Sequence, residues 1–282
     1  MGLTINHDDS KKTQIISESL DLLEWPTVCS HLATFAVTQQ GRKKCESFDL
    51  PSDISLSQEL LSQTLEIGSL DTSLDAGISF EGVHDLENIL LICAKGGVAI
   101  GEDLLKVADT LRAARKLRKL IFDQLIRPRL SELLKDVATL PDLQKLLEFG
   151  LDEGGRIADR ASPKLSELRR HRNSVRLQRK DILQDIIRKY GGLLQDNIIS
   201  ERYGRPVLAF KAGTSDQIKG MVHDSSASGN TIYVEPQVVI SIGNRLAKID
   251  SEISDEERRL LANWSKEAVS YTHLTLPTIC SV

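Results

Sequence analysis

The sequence predicts a mainly α-helical protein with a small β insertion. Aromatic residues make up 4% and charged residues 27% of the 282 positions, a balance more typical of helical proteins than of β-sandwiches. Apolar residues recur at three- and four-residue steps along most of the chain, as they do on one face of a helix. Only residues 197–235 differ, with β-branched and aromatic residues divided by Gly, Ser and Asp turns.

The first half of the chain is a polar tail followed by amphipathic helices. Apolar spacing predicts a helix from Ile16 to about Ala36 with a break at Trp25-Pro26, and a continuing helix that stops near Pro51. Ser52 or Asp53 is the expected N-cap of the next helix.

The stretch "GGVAIGED" has the glycine spacing of a phosphate-binding loop, but Glu102 and Asp103 stand where such a loop needs Lys and then Ser or Thr. It is interpreted as a turn between two helices. The second of these helices carries an apolar stripe made of Leu104, Leu105, Ala108 and Leu111.

Two long helices flank the β stretch. Each has an apolar seam whose steps alternate between three and four residues, as in a two-helix coiled coil. The outgoing seam consists of Leu165, Leu168, Arg172, Val175, Arg179, Ile182 and Ile186. The returning seam, after Pro236, consists of Val239, Ile242, Leu246, Ile249, Ile253 and Leu260. Such thin stripes suit two arms packed on each other, with a β tip between them.

Charge is segregated on the outgoing arm. From Arg160 to Lys189 there are ten basic and three acidic residues, a net charge of +7 in a chain whose total is −4. This pattern suits binding to a nucleic-acid backbone, although pairing with "DSEISDEE" on the returning arm explains it equally well. The predicted DNA-binding residues are Arg169, Arg172, Arg176, Arg179, Lys180, Arg202, Arg205, Lys211 and Lys219.

The stretch "VHDSSASGNTIYVEP" contains the residue types of a hydrolytic triad. Triad members usually come from separate segments, so a Ser/Gly turn in which Asp224 and Ser225 bond the local backbone is favoured over catalysis. The four cysteines show no metal-ligand spacing, and no metal site is expected. The absence of a signal peptide or a long apolar run predicts a soluble, cytoplasmic protein.

The order of these segments resembles the MutS2 family. The matching stretches include "SLDLLEWPTVCSHLATFAVTQQGR", "LDEGGRIADRASPKLSELRR" and above all "NIISERYGRPVLAFKAG" followed by "VHDSSASGNTIYVEP". The residues that carry the family pattern in the last stretch are His223, Asp224, Ser226, Ser228, Gly229, Glu235 and Pro236.

The resemblance implies a helical core and lever, a coiled-coil arm and a β clamp tip that embraces DNA. Full-length members are implied to be ATP- and magnesium-dependent dimers that grip branched or mismatched DNA, suppress homologous recombination, and in some cases act on ribosomes or carry an Smr nuclease domain. The P-loop and the nuclease domain are not found in this sequence, so it is expected to be an inactive, monomeric fragment without a cofactor. The alternative is a coiled-coil module that binds a protein or the ribosome.

Residues after Ala268 lose both charge and helical seam, and they resemble a translated sequencing-library adapter; a natural polar tail is the alternative. The predicted organisation is therefore a flexible tail at 1–15, a core and lever domain at 16–155, a basic outgoing arm at 156–196, a clamp tip at 197–235, a returning arm at 236–268 and an adapter-derived tail at 269–282.

Overall fold

The computed structural model describes residues 18–51, 53–135, 137, 139–214 and 217–272. It divides into two compact units, one drawn from Met1–Arg156 and Leu261–Val282 and the other from Ile157–Leu260. Most described residues are helical, and one four-stranded antiparallel sheet lies in the second unit. The predicted class, mainly α with a small β insertion, is confirmed. None of the described helices combines the length and the apolar character needed to cross a membrane.

The first unit is built from short and medium helices. Its main helices are α1 (Trp25–Ala33), α2 (Gln39–Glu46), α3 (Ile54–Ser73), α4 (Glu87–Ala94), α5 (Gly101–Ile121), α6 (Pro128–Leu134) and α7 (Pro141–Gly150). The expected break at Trp25 is confirmed, because Glu24 has a φ of 52° and α1 begins after it. The continuous helix expected up to Pro51 is wrong: Thr38 caps a new helix by accepting a hydrogen bond from the Gly41 amide at 3.0 Å.

Ser52 or Asp53 was the predicted N-cap of α3, and the prediction is confirmed for Asp53. Asp53 Oδ1 accepts from the Leu56 amide at 2.8 Å and caps α3. Ser52, the second candidate, lies outside the described residues.

Helix α5 supplies the central apolar stripe of the first unit. Its most deeply buried side chains are Leu104, Val107, Ala108 and Leu111. Leu105, which the sequence placed in this stripe, is only partly buried, whereas Val107 is fully buried.

The glycine-rich loop before α5 is a turn between two helices, as the sequence predicts, and Glu102 and Asp103 lie in the first turn of α5. A Cβ atom on Gly101 would lie 1.8 Å from the Gly155 carbonyl oxygen. The backbone of Gly155 therefore covers the start of α5 and leaves no space for a side chain.

The second unit is a helical hairpin with a β tip. It contains α8 (Pro163–Tyr190), β1 (Leu194–Arg202), β2 (Arg205–Lys211), β3 (Gly220–Ser225), β4 (Thr231–Pro236) and the first part of α9 (Gln237–Thr272). The sheet order is β1-β2-β4-β3, with all neighbours antiparallel. Helix α9 runs four residues past the boundary expected at Ala268, and residues 273–282 of the predicted tail lie outside the described residues.

Helices α8 and α9 run antiparallel in a fixed register. Lys164 contacts Glu256, Arg172 contacts Asp250, and Leu183 shares one cluster with Val239. The two residue numbers of each pair add to about 420. A constant sum is expected when two helices of equal rise per residue run in opposite directions. All six predicted seam residues of α9 are buried, whereas on α8 only Leu165 and Val175 of the predicted seam are.

The sheet packs on the end of this hairpin through one apolar cluster. Its buried members are Leu183, Leu194, Leu208, Phe210, Val234 and Val239. Because helices and strands both contribute to it, this cluster fixes the β tip to the two arms.

Candidate nucleic-acid interface

The five predicted contact residues of α8 divide into two groups with different partners. Arg169 donates to Asp159 Oδ1, to Glu257 Oε1 and to the Ile157 carbonyl oxygen, and only 21% of its side chain is exposed. Burial alone lowers the pKa of Arg169, but the hydrogen bonds to both carboxylates outweigh it and raise that pKa. Arg169 therefore keeps its positive charge, but two carboxylates of the same chain balance that charge, and its role is structural.

Arg172 belongs to the same paired group. Its Nη1 lies 3.5 Å from Asp250 Oδ1, and its Nε is buried without a hydrogen-bond partner among the described residues. The acidic face of α9 thus engages the first part of the basic arm within the chain itself.

The second group lies further along α8 and faces the β1–β2 hairpin. An open groove of about 290 Å³ separates the two elements. We call it the basic groove; its lining consists of Arg176, Arg179, Lys180, Leu183, Ile199, Ser200, Glu201, Gly204 and Pro206. Within the described part of the chain, no carboxylate pairs with the three cations of this lining. They are therefore available to an anionic ligand.

The groove combines cations with an apolar floor. Leu183, Ile199 and Pro206 provide apolar surface, and Glu201 is the one acidic residue in the lining. Three positive charges against one negative charge favour phosphate oxygens. The apolar floor suits the sugar and base surfaces that accompany them.

The four predicted basic residues of the tip lie outside the basic groove. Arg202 Nε is 3.3 Å from Asp224 Oδ2, and its guanidinium lies 4.1 Å from the centre of the Tyr233 ring. Arg205 Nη1 is 3.6 Å from Glu235 Oε1. These two side chains are held against the sheet.

The two lysines of the tip differ from each other. Lys211 Nζ donates to the Gly192 carbonyl oxygen at 3.1 Å. Lys219 is exposed and lines a separate depression beside the edge strand β3, together with Met221 and Val222. The structure thus brings together only three of the nine predicted contact residues.

The residues of the family pattern form a turn and a buried pair. A bulge in β3 at His223 interrupts the register with β4, and His223 Nε2 lies 2.8 Å from Glu235 Oε2. Glu235 is 1% exposed. Pro236 follows it as the last residue of β4, directly before α9.

The serines of the pattern shape the β3–β4 connection. Ser226 Oγ accepts from the Thr231 amide and lies 3.3 Å from Ser228 Oγ, while Gly229 has a φ of 69°. Asp224 Oδ1 accepts from the Ser225 amide. The turn favoured from the sequence is present: Asp224 bonds the local backbone, and His223 pairs with Glu235 instead of with Asp224.

Sequence reasoning missed two kinds of residue. Glu201 and Gly204 line the basic groove because a two-residue loop folds β2 back on β1, and the "RYGR" stretch was the available signal. Glu256 is buried in the α9 seam. Its position three residues after Ile253 and four before Leu260 continues the seam pattern, so the spacing alone identifies it.

Comparisons with known proteins give consistent relatives over nearly the whole chain. No protein-family model matches it. A Synechocystis protein named Endonuclease MutS2 is 40% identical over 261 residues, which is 93% of this chain and 32% of that protein. Proteins of the same name from Pelotomaculum thermopropionicum and Symbiobacterium thermophilum are 34% and 32% identical over 88% and 94% of this chain. The chain spans about a third of the length of these curated relatives.

Proposed function

Since the chain belongs to the MutS2 family along the stretch that it shares with these relatives, about a third of their length, we propose that this stretch binds DNA through the basic groove. The observation that carries the proposal is the set of three unpaired cations, Arg176, Arg179 and Lys180, over an apolar floor. Phosphate contacts of this kind give affinity without sequence preference.

The proposal assigns the parts of the fold to MutS-like roles. Helix α8, the sheet and the returning part of α9 act as arm and clamp tip, and the first unit acts as core and lever. For longer family members we propose four further properties: branched or mismatched DNA as the target, suppression of recombination, dimer formation, and ATP hydrolysis with magnesium. For the 282-residue chain itself we propose DNA binding alone, without a cofactor or catalysis.

We also propose a cytoplasmic site of action. The three cysteines that the structure describes, Cys29, Cys45 and Cys93, are all free thiols. Free thiols are typical of a reducing compartment.

The test is a salt titration of DNA binding by the 282-residue chain. The triple variant Arg176→Gln, Arg179→Gln, Lys180→Gln should bind a labelled duplex at least about tenfold more weakly at low salt, because counterion release is lost at three phosphates. The slope of log affinity against log salt concentration should become shallower by about 0.9 for each lost contact. Glu201→Gln should act in the opposite direction and tighten binding at low salt, because it removes the acid of the groove.

A matched control removes three exposed cations outside the groove: Arg170→Gln, Lys119→Gln and Lys145→Gln. It should change the slope far less than the groove variant. Equal effects of the two triple variants would show that net charge, not the groove, drives binding. Salt-independent binding that needs a protein or ribosomal partner would contradict DNA binding and favour an interaction module.

A further inference from the structure

A highly exposed tyrosine lies next to a residue that lines the basic groove. Tyr203 and Gly204 form the two-residue loop between β1 and β2, since Arg202 pairs with Arg205 across the hairpin. Tyr203 is 83% exposed. No hydrogen bond or ring contact joins it to another residue of the described part of the chain. Its neighbour Gly204 lines the groove.

The backbone at Tyr203 is in a conformation that does not suit tyrosine. Its φ is 52° and that of Gly204 is 74°, as in the tight hairpin turns that require positive φ at both loop residues. Such positions favour Asn, Asp or Gly, whereas a bulky side chain there is strained. Neither packing nor turn geometry accounts for an aromatic side chain at this position, and strained residues of this kind cluster at ligand sites.

The groove lined by the neighbouring Gly204 favours a nucleotide as the ligand of the ring. Arg176, Arg179 and Lys180 supply phosphate-binding charge, and Leu183, Ile199 and Pro206 supply apolar surface. An exposed aromatic ring beside a cationic groove is the arrangement with which proteins hold single strands: the groove follows the backbone and the ring stacks on a base. In a continuous duplex both faces of each internal base are already covered by neighbouring bases, so the ring gains nothing there.

We propose that Tyr203 stacks on the base of an unpaired nucleotide whose flanking phosphates occupy the basic groove. The inference rests on the proposed DNA-binding function and deepens it, because it names the chemical feature that the site selects. Phosphate contacts give the site affinity for any DNA, and Tyr203 adds affinity where a base is unpaired.

The experiment compares a gapped duplex containing unpaired thymines with a continuous duplex of the same length. Tyr203→Asn removes the ring but suits a positive φ, so the hairpin is retained or stabilised. It should weaken binding to the gapped DNA by about fivefold to a hundredfold and leave binding to the continuous duplex within twofold. Tyr203→Phe, which keeps the ring, should bind both DNAs as the parent does.

A direct readout accompanies the affinities. With 5-iodouracil in the gap, irradiation should crosslink Tyr203 to the DNA, and mass spectrometry of the digested protein should identify the modified residue. A crosslink at a different residue would overturn the inference.

The outcomes separate this inference from the proposed function. If the parent chain binds DNA, the groove variant weakens binding and Tyr203→Asn matches the parent on both DNAs, the stacking inference fails alone. Equal losses on gapped and continuous DNA would overturn it too, because stacking on an unpaired base cannot act on both. If the parent binds neither DNA, both proposals fail.

Discussion

At the scale of single residues, Glu256 shows how a carboxylate is kept in an apolar seam. It is 1% exposed, and its oxygens accept hydrogen bonds from Ser162 Oγ and from Arg259, with Lys164 Nζ at 3.3 Å. The hydrogen bonds from Arg259, opposed by burial and assisted by Ser162 and Lys164, lower the pKa of Glu256 to about 2. A buried charge with several partners is tolerated, whereas one that loses a partner is costly.

This pKa gives an acid dependence of stability. Because the folded-state pKa lies below the ordinary value of 4.5, the stabilisation is present above pH 4.5 and is lost as the pH falls towards 2. At pH 7, Glu256→Gln should lower the free energy of unfolding by on the order of 2 kcal/mol. The gap to the parent should close as the pH falls through that window, as measured by urea denaturation followed by circular dichroism.

Asp255→Asn is the control for this prediction. Asp255 is exposed on the same helix and pairs with Arg258 at 3.4 Å, so its removal should change stability by less than about 1 kcal/mol at any pH. A gap between Glu256→Gln and the parent that stays constant from pH 7 to pH 3 would show that the ionised carboxylate contributes nothing.

At the scale of elements, the start of α5 depends on two glycines in contact. In Gly101→Ala the new Cβ would meet the Gly155 carbonyl oxygen at 1.8 Å, and the backbone must shift to accommodate it. The free energy of unfolding should fall by about 3 kcal/mol, measured by thermal unfolding. Gly68→Ala in α3 is the matched control, because nothing lies within 4 Å of its Cβ, and it should raise stability by about 0.5–1 kcal/mol.

Elements also show what the sequence could predict. The α9 seam was predicted correctly because its six apolar residues are all buried on one face. The α8 seam was less predictable, since Arg172 and Arg179 occupy seam positions but extend their charged ends towards Asp250 and into the basic groove respectively. The break between α1 and α2 was missed because the hydrogen bond of Thr38 to the Gly41 amide outweighs a weak apolar period.

The candidate site was likewise predictable from the sequence only in part. Charge counting identified Arg176, Arg179 and Lys180 as basic-arm residues, but it could not separate them from Arg169, whose carboxylate partners come from a distant helix and a preceding turn. Local charge is visible in sequence, whereas neutralisation depends on tertiary contacts.

At the scale of the whole molecule, each of the two units buries apolar side chains of its own. Leu208 is fully buried in the cluster of the β tip, and Leu147 is fully buried in the first unit. Leu208→Ala should therefore lower stability by about 2–5 kcal/mol within its own unit. In native-state hydrogen exchange, amides of β2 and β4 should exchange faster while those of α5 stay protected.

Leu147→Ala provides the reciprocal control. It should accelerate exchange in α5 and α7 and leave the sheet unchanged. Uniform acceleration across both units by either variant would show that the described chain unfolds as a single cooperative body.

The fixed register of α8 against α9 has a consequence for how such arms can change length in evolution or by engineering. Because each residue on the outgoing helix faces a set partner on the returning one, an insertion in one helix alone rotates its later side chains by about 100° per residue and separates the seam from its partner. Lengthening preserves the three-four spacing of the seam when matched seven-residue segments are added to both helices, and each addition would carry the tip outward by about 10 Å. The distance from the base of the arms to the tip therefore changes in discrete steps and not continuously.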